Sequence, residues 1–418
     1  RRAAYLARVE EVHDWRIGLH DLDDPQSVPD FSAIVMLLMM EERIDVCNRR
    51  VLELMEDPGT GPFWMFPSAM VALAGRDKLS AEAHASIREA WRTTRQQRGD
   101  TENHWVMYHT SLYLMSELYH NESGETWYTG NSSEKNLIEA RGWLIDWMNT
   151  ATTIGQGEYN PSHYIGEYAI PMLMLASFAE DPKMRKRGRM MLDWLFAEFA
   201  TVTLEGVLRG PNARTDDTSV VERWNALASF FSWLLFETTP PPKGYGGWGN
   251  HFAALAINYE VPEVIYRIAI DRQKDILQLD LARARRAWRY SDELSPAIYK
   301  TQYLRRDYAV GSHLGGRSVP IQAHVWDVTW REKDPRGKYT SLFSTHPHWS
   351  QKVLQKFFGT YPEMLPVVLE ISGKPSYNSA DKLLGCSPYE KVFQDLDTII
   401  ALYDILPAER FLRVNGFF

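Results

Sequence analysis

The feature that most constrains the fold is a regular succession of helical segments between about residues 30 and 290. Apolar residues recur at helical spacing after three starts, near Asn103, Pro161 and Asp216, which lie roughly 55 to 60 residues apart. Further helices are predicted between them, near Ser133 and Asp181. This order is typical of antiparallel hairpins whose first helices line a ring and whose second helices wrap it. The sequence therefore predicts a mainly α fold, an (α/α)n toroid of helical hairpins whose inner helices all begin at one rim.

Local signals predict where several of these helices begin. One helix is expected to begin near Asp30 and to run toward Met55, and another is expected to follow Pro262. Because proline is favoured in the first turn of a helix, the second of the three inner helices is expected to open at Pro161 itself.

The pattern changes from about residue 295 onward. In residues 321–330, β-branched and aromatic residues alternate with polar ones, and residues 366–371 and 397–404 also favour strands. We therefore expect two domains, an α/α-toroid catalytic domain over residues 1–290 and a β-rich C-terminal domain over residues 291–418. The second domain is expected to be incomplete, because the chain stops in a strand-like stretch.

Composition limits the classes of partner. A net charge of −8 provides no broad basic field for nucleic-acid phosphates, and the longest apolar run, residues 33–40, is too short to span a membrane. The sequence has no Cys/His metal array and no nucleotide-binding loop, so neither a metal nor another cofactor is expected; Cys47 and Cys386 are expected to be single buried thiols. No signal peptide is visible, and we expect that one has been removed from a secreted or periplasmic protein.

The content of 15 Trp, 20 Tyr and 17 Phe is high for a chain of 418 residues. Aromatic faces can stack on sugars in a binding cleft, or they can simply pack the helical hairpins together. Composition leaves both interpretations open.

A first polar cluster opens the predicted helix near residue 103. Asn103 and His104 would project from the helix start, where the helix dipole favours negative charge, so we expect them to bind an anionic group. Trp105, Tyr108 and His109 are expected to contact the same ligand. In the alternative interpretation, Asn103 only caps the helix and His104 is a surface residue.

A second cluster fills the loop over residues 157–164, at the next inner-helix start. Glycine and proline frame a loop rich in polar and aromatic side chains, which is more typical of a binding loop than of a plain connector. The residues expected to bind or react here are Glu158, Tyr159, Asn160, His163 and Tyr164.

A third cluster contains Arg209 and Arg214, whose guanidinium groups are able to hold a carboxylate or sulfate in bidentate fashion. The alternative is an ordinary loop that ends in an aspartate cap at Asp216.

Two more clusters lie nearer the C-terminus. Trp248, Asn250 and His251 precede a helix and are expected to bind substrate. Tyr303 and Tyr308 flank a pair of arginines, which predicts a lowered tyrosine pKa and proton exchange near neutral pH. The alternative is that both tyrosines only anchor the two domains to each other.

Three of these motifs together resemble the toroid polysaccharide lyases, a group that includes heparinase II/III-like enzymes and alginate, glucuronan and ulvan lyases. The motifs are the Asn103–His104 pair at a helix start, the loop over residues 158–164, and the segment over residues 303–312 ahead of a sheet domain. The resemblance covers most of the chain in layout but only short motifs in detail.

The resemblance implies a β-elimination on a uronic-acid polysaccharide. In such enzymes an Asn or His, often with an Arg, neutralises the uronate carboxylate, a Tyr or His removes the C5 proton, and a Tyr protonates the leaving oxygen. Carried over by position, Asn103 and His104 resemble the neutralising pair, His163 the base, Tyr303 the acid or both acid and base, and Arg214 an anchor. The other candidates are Tyr299 and Tyr308 for the acid, and Arg209, Arg305 and Arg306 for the anchor.

Two other functions stay open at this point. A glycoside hydrolase on the same helical ring would need two carboxylates, and Glu158 with Glu102 or Asp216 would supply them. A non-catalytic glycan-binding scaffold would use the same side chains for affinity alone. In all three hypotheses the expected partner is a polysaccharide or oligosaccharide, and for the lyase it is an acidic one.

Overall fold

The computed structural model describes residues 1–59, 61–94, 101–215, 217–283, 297–315, 323–331, 340–347, 383 and 387–418. The helices in this part of the chain are α1 (Arg2–Ile17), α2 (Phe31–Met40), α3 (Ile44–Glu56), α4 (Pro62–Ala74), α5 (Ala81–Thr93), α6 (Glu102–Leu118), α7 (Ser133–Ile154), α8 (Ile165–Phe178), α9 (Pro182–Ala200), α10 (Asp217–Val221), α11 (Leu227–Phe231), α12 (Gly249–Leu255) and α13 (Glu263–Ile270).

The strands are short at first and longer after α13. They are β1 (Thr203–Leu204), β2 (Val207–Leu208), β3 (Asn212–Ala213), β4 (Ile276–Arg283), β5 (Ala297–Leu304), β6 (Tyr308–Gly315), β7 (Ala323–His324), β8 (Trp326–Trp330), β9 (Ser341–Thr345), β10 (Glu390–Asp395), β11 (Thr398–Tyr403) and β12 (Asn415–Phe417). The prediction of a mainly α fold followed by a β-rich region is therefore confirmed at this level.

Several predicted boundaries agree with the structure. Helices α6, α7, α9 and α13 begin within about one residue of the predicted starts, and β11 lies within the predicted strand over residues 397–404. Strands β7 and β8 lie within the predicted segment 321–330. Asp216, Cys386, the predicted strand 366–371 and the predicted domain boundary at residues 290–291 lie outside the described residues.

Two predicted helix boundaries are wrong. The expected helix from Asp30 to Met55 is two helices, because Glu41 and Arg43 adopt left-handed backbone angles (φ 60° and 46°) that end α2 and precede α3. The helix expected to open at Pro161 begins four residues later. The backbone before it is used in tertiary contacts, since the Ser162 carbonyl accepts a hydrogen bond from the Ala228 amide at 2.9 Å.

The described residues divide into two compact units. Unit 1 contains residues 1–149, 166–195 and 247–261, and unit 2 contains residues 150–165, 196–246 and 262–418.

Unit 1 contains two layers of helices that alternate along the chain. Helix α4 packs against α2 and α6, α3 packs against α5, and α12 packs against α1 and α2. Helices α2 and α4 consist almost entirely of apolar residues and are almost wholly buried, whereas α3 and α5 bury only one face. The arrangement of these helices as hairpins that close into a ring stays a prediction.

Unit 2 is organised around a six-stranded antiparallel sheet with the order β12-β9-β8-β6-β5-β4. Alternate residues of β5 point to opposite faces, so buried Lys300 and Gln302 lie on one face and the more exposed Tyr299 and Tyr303 on the other. Residues 155–160 and 209–213 contact the face that contains Lys300 and Gln302. This arrangement places two of the predicted clusters against the sheet.

Two further expectations from composition can be compared with the described residues. Cys47 is a free, buried thiol, and burial raises its pKa to about 12. Among the described helices, none combines the length and the apolar character that crossing a bilayer requires.

Candidate functional site

The second and third sequence clusters lie side by side in unit 2. The Tyr159 carbonyl accepts a hydrogen bond from the Ala213 amide at 3.0 Å, and the Asn160 side chain donates to the Pro211 carbonyl at 3.0 Å. The Lys300 ammonium on β5 donates to the Asn160 side-chain oxygen at 3.4 Å. The loop over residues 157–164 is therefore fixed between the segment over residues 209–214 and the sheet.

The centre of this arrangement is the Arg214 side chain. Its Nε lies 3.0 Å from Oε1 of Glu158, and one terminal nitrogen donates to the Tyr164 hydroxyl at 3.3 Å. The guanidinium carbon also lies 5.1 Å from the centre of the Tyr164 ring. The Glu158 side chain is 2% exposed and that of Arg214 11%, so the ion pair is almost wholly shielded from water. An arginine held in this way is positioned before any ligand arrives.

The backbone at two residues of the cluster is strained. Asn160 has φ 44° and Arg214 has φ 60°, both in the left-handed region that residues with a Cβ rarely adopt. Asparagine tolerates this region, but for arginine it costs on the order of 1 kcal/mol or more. The contacts of Arg214 with Glu158 and Tyr164 offset that cost, and such strain is often retained where a side chain must point in one direction.

His163 lies beside this cluster and is half-buried. Its Nε2 is hydrogen-bonded to the hydroxyl of Ser219 on α10, and Ser219 is buried. The bond fixes the ring orientation of the residue that the sequence indicates as a base.

Tyr159 is placed differently from its neighbours in the loop. Its side chain is 1% exposed, and its hydroxyl is hydrogen-bonded to Nδ1 of His313 on β6. Burial lowers the pKa of His313 to about 3, and the nearby His324 adds to this shift. His313 is therefore neutral at ordinary pH. The pair anchors the loop to the sheet, so direct contact of Tyr159 with a substrate is not supported by its burial.

A buried ionic network around Asp327 contacts the segment over residues 209–214 that contains the third cluster. Asp327 on β8 is 2.6 Å from a terminal nitrogen of Arg223 and 3.0 Å from Nε2 of His324, and it accepts a hydrogen bond from the Gly210 amide at 3.0 Å. Burial of its neighbour Arg209 lowers the pKa of that guanidinium to about 10, with a further contribution from Arg223. Arg209, predicted to bind substrate, is 3% exposed and belongs to this network.

The fifth sequence cluster does not join this arrangement. Tyr303 lies on the opposite sheet face from Lys300 and Gln302, and its hydroxyl donates to Asp275 at 2.7 Å. The prediction of a lowered Tyr303 pKa is wrong, because this hydrogen bond to Asp275 raises it. Tyr308 donates to Asp397 at 2.8 Å.

Tyr308 lines an open, charged cleft of about 1100 Å³ in unit 2. Several of the arginines that line it are already paired with acidic residues, among them Arg305 with Asp275 and Arg331 with Glu205.

In unit 1, the first and fourth sequence clusters are brought together by an aromatic residue that sequence analysis missed. The ring centre of Phe63 on α4 lies 5.1 Å from that of His104 and 6.0 Å from that of Trp248. The Trp248 and His251 rings are 4.5 Å apart. The starts of α4, α6 and α12 therefore lie next to one another.

Neighbouring candidates in α6 and α12 are largely internal. Asn103 is fully buried at the start of α6, where Thr101 rather than Asn103 is the capping residue. Asn250 is 3% exposed, and burial lowers the pKa of His251 to about 4. His104 is half-buried and more accessible than Asn103.

His109, Tyr108 and Trp105 take part in internal packing. His109 stacks on Trp143 with ring centres 4.3 Å apart, and its Nδ1 donates a hydrogen bond to the Trp105 carbonyl oxygen at 2.8 Å. Tyr108 accepts a hydrogen bond from the Tyr128 hydroxyl at 2.8 Å. The stacking and the hydrogen bond explain why His109 is buried, and its predicted contact with substrate has no support in this geometry.

Two residues beside the candidates were missed from sequence, namely Phe63 and Ser219. A signal existed for Phe63, since it follows Gly61 and Pro62 at a helix start. Nothing local distinguished Ser219, because its role depends on a contact with His163 over a long sequence distance.

No protein-family model matches the sequence, and no curated protein matches it significantly.

Proposed function

We propose that this protein is a polysaccharide lyase that cleaves a uronic-acid-containing chain by β-elimination. The observation that supports this most directly is the Arg214 side chain, held between the buried carboxylate of Glu158 and the hydroxyl of Tyr164, with His163 next in sequence to that tyrosine. A fixed cation, a phenol and an imidazole are the three group types that the reaction uses.

The reaction removes a proton from C5 of the uronate and breaks the bond between C4 and the bridging oxygen. The electron pair of the C5–H bond becomes the C4–C5 double bond, and the leaving oxygen takes up a proton. A positive charge beside the carboxylate stabilises the negative charge that develops as the C5 proton leaves. No net oxidation occurs, so the proposed reaction needs no redox cofactor.

In this proposal Arg214 binds the uronate carboxylate, and Glu158 positions Arg214. His163 is the base that takes the C5 proton, with its ring orientation fixed by Ser219. Because Tyr164 accepts the hydrogen bond from Arg214, its own hydroxyl hydrogen is the one to be donated to the leaving oxygen. Tyr164 thus replaces Tyr303 as the proposed acid.

Asn103 and His104 lie in unit 1, and their part in neutralising the carboxylate stays a prediction. The hydrolase hypothesis receives no comparable support, because its main carboxylate, Glu158, is ion-paired with Arg214 and 2% exposed. A general acid of a hydrolase must be protonated and reach the glycosidic oxygen.

The test is ultraviolet absorbance of the unsaturated uronate during incubation with alginate, glucuronan, ulvan, chondroitin and heparan. We expect absorbance to rise with at least one polymer, and the rate to fall by about 10²–10⁴-fold in His163→Gln and by about 10²–10³-fold in Arg214→Met. The matched control is Arg305→Met, an exposed arginine that also lies beside a tyrosine, and it should keep the wild-type rate.

Other outcomes contradict the proposal in different ways. New reducing ends without ultraviolet absorbance would indicate a hydrolase. Binding of a polymer without either product would indicate a glycan-binding scaffold. A rate unchanged in Arg214→Met would remove Arg214 from the reaction.

A further inference from the structure

Phe63 is far more exposed to solvent than the other residues of helix α4. Every other residue from Pro62 to Ala74 is buried, whereas the Phe63 side chain is 43% exposed. Burial of apolar surface stabilises a fold, so an exposed phenylalanine contributes little to this helix. Phe66, one turn further on, is fully buried and lies 6.0 Å from Trp248, so it already supplies the packing contact with that ring.

The exposed Phe63 ring is part of a group of three accessible rings. His104 meets it edge-on, with an angle of 88° between the ring planes, and Trp248 is tilted by 40°. Both His104 and Trp248 are half-buried. We name Phe63, His104 and Trp248 the aromatic platform. It consists of residues from three separate helix starts that fold together.

Polar atoms directly follow Trp248 in the chain. Within the described residues, Oδ1 of Asn250 and Nδ1 of His251 have no hydrogen-bond partner, although both atoms are shielded from solvent. Asn250 is itself 3% exposed, and its amide nitrogen donates to the Gly247 carbonyl at 2.8 Å. A shielded polar atom without a partner is costly, and a ligand hydroxyl that bonds to it removes that cost.

We propose that the aromatic platform is a binding subsite for one pyranose ring of a glycan, with Phe63 and Trp248 against the C–H face of the sugar and Asn250 and His251 as hydrogen-bond partners for its hydroxyls. A pyranose ring combines an apolar face with a polar rim, and the platform combines accessible rings with unsatisfied polar atoms. A protein partner would need a contact several times larger than three side chains.

This inference goes beyond the proposed lyase activity, because a sugar ring can be held here whether or not the chain is cleaved. It assigns a role to Phe63, which has no place in the proton-transfer chemistry. It also explains why a large apolar side chain is kept accessible on an otherwise buried helix.

The experiment measures oligosaccharide binding by isothermal calorimetry, in the His163→Gln variant so that cleavage does not consume the ligand. The ligands are tetrasaccharides of alginate, glucuronan and ulvan, with cellotetraose as a neutral sugar. Loss of one stacking contact is expected to weaken binding by about tenfold in Phe63→Ala and in Trp248→Ala. Phe63→Tyr keeps the ring and should bind as the parent does.

The matched control is Phe393→Ala, which removes a phenylalanine side chain that is 48% exposed on β10, and it should leave binding unchanged. The melting temperature of Phe63→Ala should equal that of its parent, because the ring is exposed. Unchanged affinity in Phe63→Ala would overturn the inference, as would the absence of binding to all four ligands. A change of oligomeric state in Phe63→Ala would show that the platform contacts protein instead.

Failure of this inference and failure of the proposed function are distinguishable. Binding that depends on Phe63, without unsaturated product from any polymer, would support the subsite and contradict the lyase. Lyase activity with the same KM in Phe63→Ala and wild type would support the lyase and contradict the subsite.

Discussion

Replacing Asp327 by asparagine tests whether unit 2 depends on its buried ionic network. Asp327 is fully buried, and Arg223, its ion-pair partner, is 2% exposed. Asparagine keeps the size of the side chain but leaves the buried guanidinium without a counter-charge. Loss of one partner of a buried ion pair costs about 3–5 kcal/mol. For unfolding units of 150–250 residues this corresponds to a melting temperature about 6–20 °C lower.

The pH dependence gives this prediction a second, independent part. Burial raises the pKa of Asp327, but the charge of Arg223 and the hydrogen bond from His324 outweigh it, so the pKa lies well below its usual value. A carboxyl whose pKa is lowered by folding stabilises the protein above its unfolded pKa of about 4, and this contribution is lost as the pH falls toward the folded pKa. The difference between wild type and Asp327→Asn should therefore shrink below about pH 4.

The assay is thermal and urea unfolding, monitored by circular dichroism, with Asp307→Asn as the matched control. Asp307 lies in the same unit, but its side chain is 71% exposed and 3.9 Å from Arg331. An exposed pair of this kind contributes about 0–1 kcal/mol, so the control should resemble wild type. Equal stability of the two variants would refute the reasoning about the buried pair.

Three further predictions concern single side chains in unit 1. Cys47, with its raised pKa and buried thiol, should resist iodoacetamide in the native protein and react after unfolding, as followed by peptide mass spectrometry. Folding lowers the pKa of His251 to about 4, so its neutral form stabilises the protein above about pH 6.5 and this contribution is lost as the pH falls toward 4. His251→Phe should therefore reduce the loss of stability at acid pH, as measured by urea unfolding. The Glu117 carboxylate accepts the amides of Glu180 at 2.8 Å and Asp181 at 3.2 Å, so Glu117→Ala should lower the unfolding free energy by about 1–3 kcal/mol, whereas an unchanged urea midpoint would contradict this.

The helices were predictable where local signals and burial agree. Thr101 caps α6, and apolar residues recur at helical spacing along this helix, so the start of α6 could be located from the sequence. Pro161 gave a local signal for a helix start, but the Ser162 carbonyl that follows it is held by the Ala228 amide, and α8 begins four residues later. Local propensity is a weak constraint where tertiary contacts compete with it.

The candidate site was predictable in its residues but not in its grouping. Glu158 and Arg214 were both recognisable as loop residues with reactive side chains, yet their pairing depends on contact between segments more than fifty residues apart. Tyr303 shows the opposite limit. Strand periodicity predicts that Tyr303 and Gln302 lie on opposite faces of the sheet. It does not predict which of the two faces the loops cover.

The three-segment composition of unit 2 has a consequence for how the protein is made on the ribosome. Asn160 meets Lys300, which is 140 positions later, and Gly210 meets Asp327, which is 117 positions later. At about 5–20 residues per second, the loop that contains His163 and Tyr164 waits roughly 7–28 s for its supporting strand to be synthesised. During that interval the nascent chain exposes polar loops with no sheet to hold them. The reactive groups can take up their final positions only late in translation, after the β-rich part has emerged.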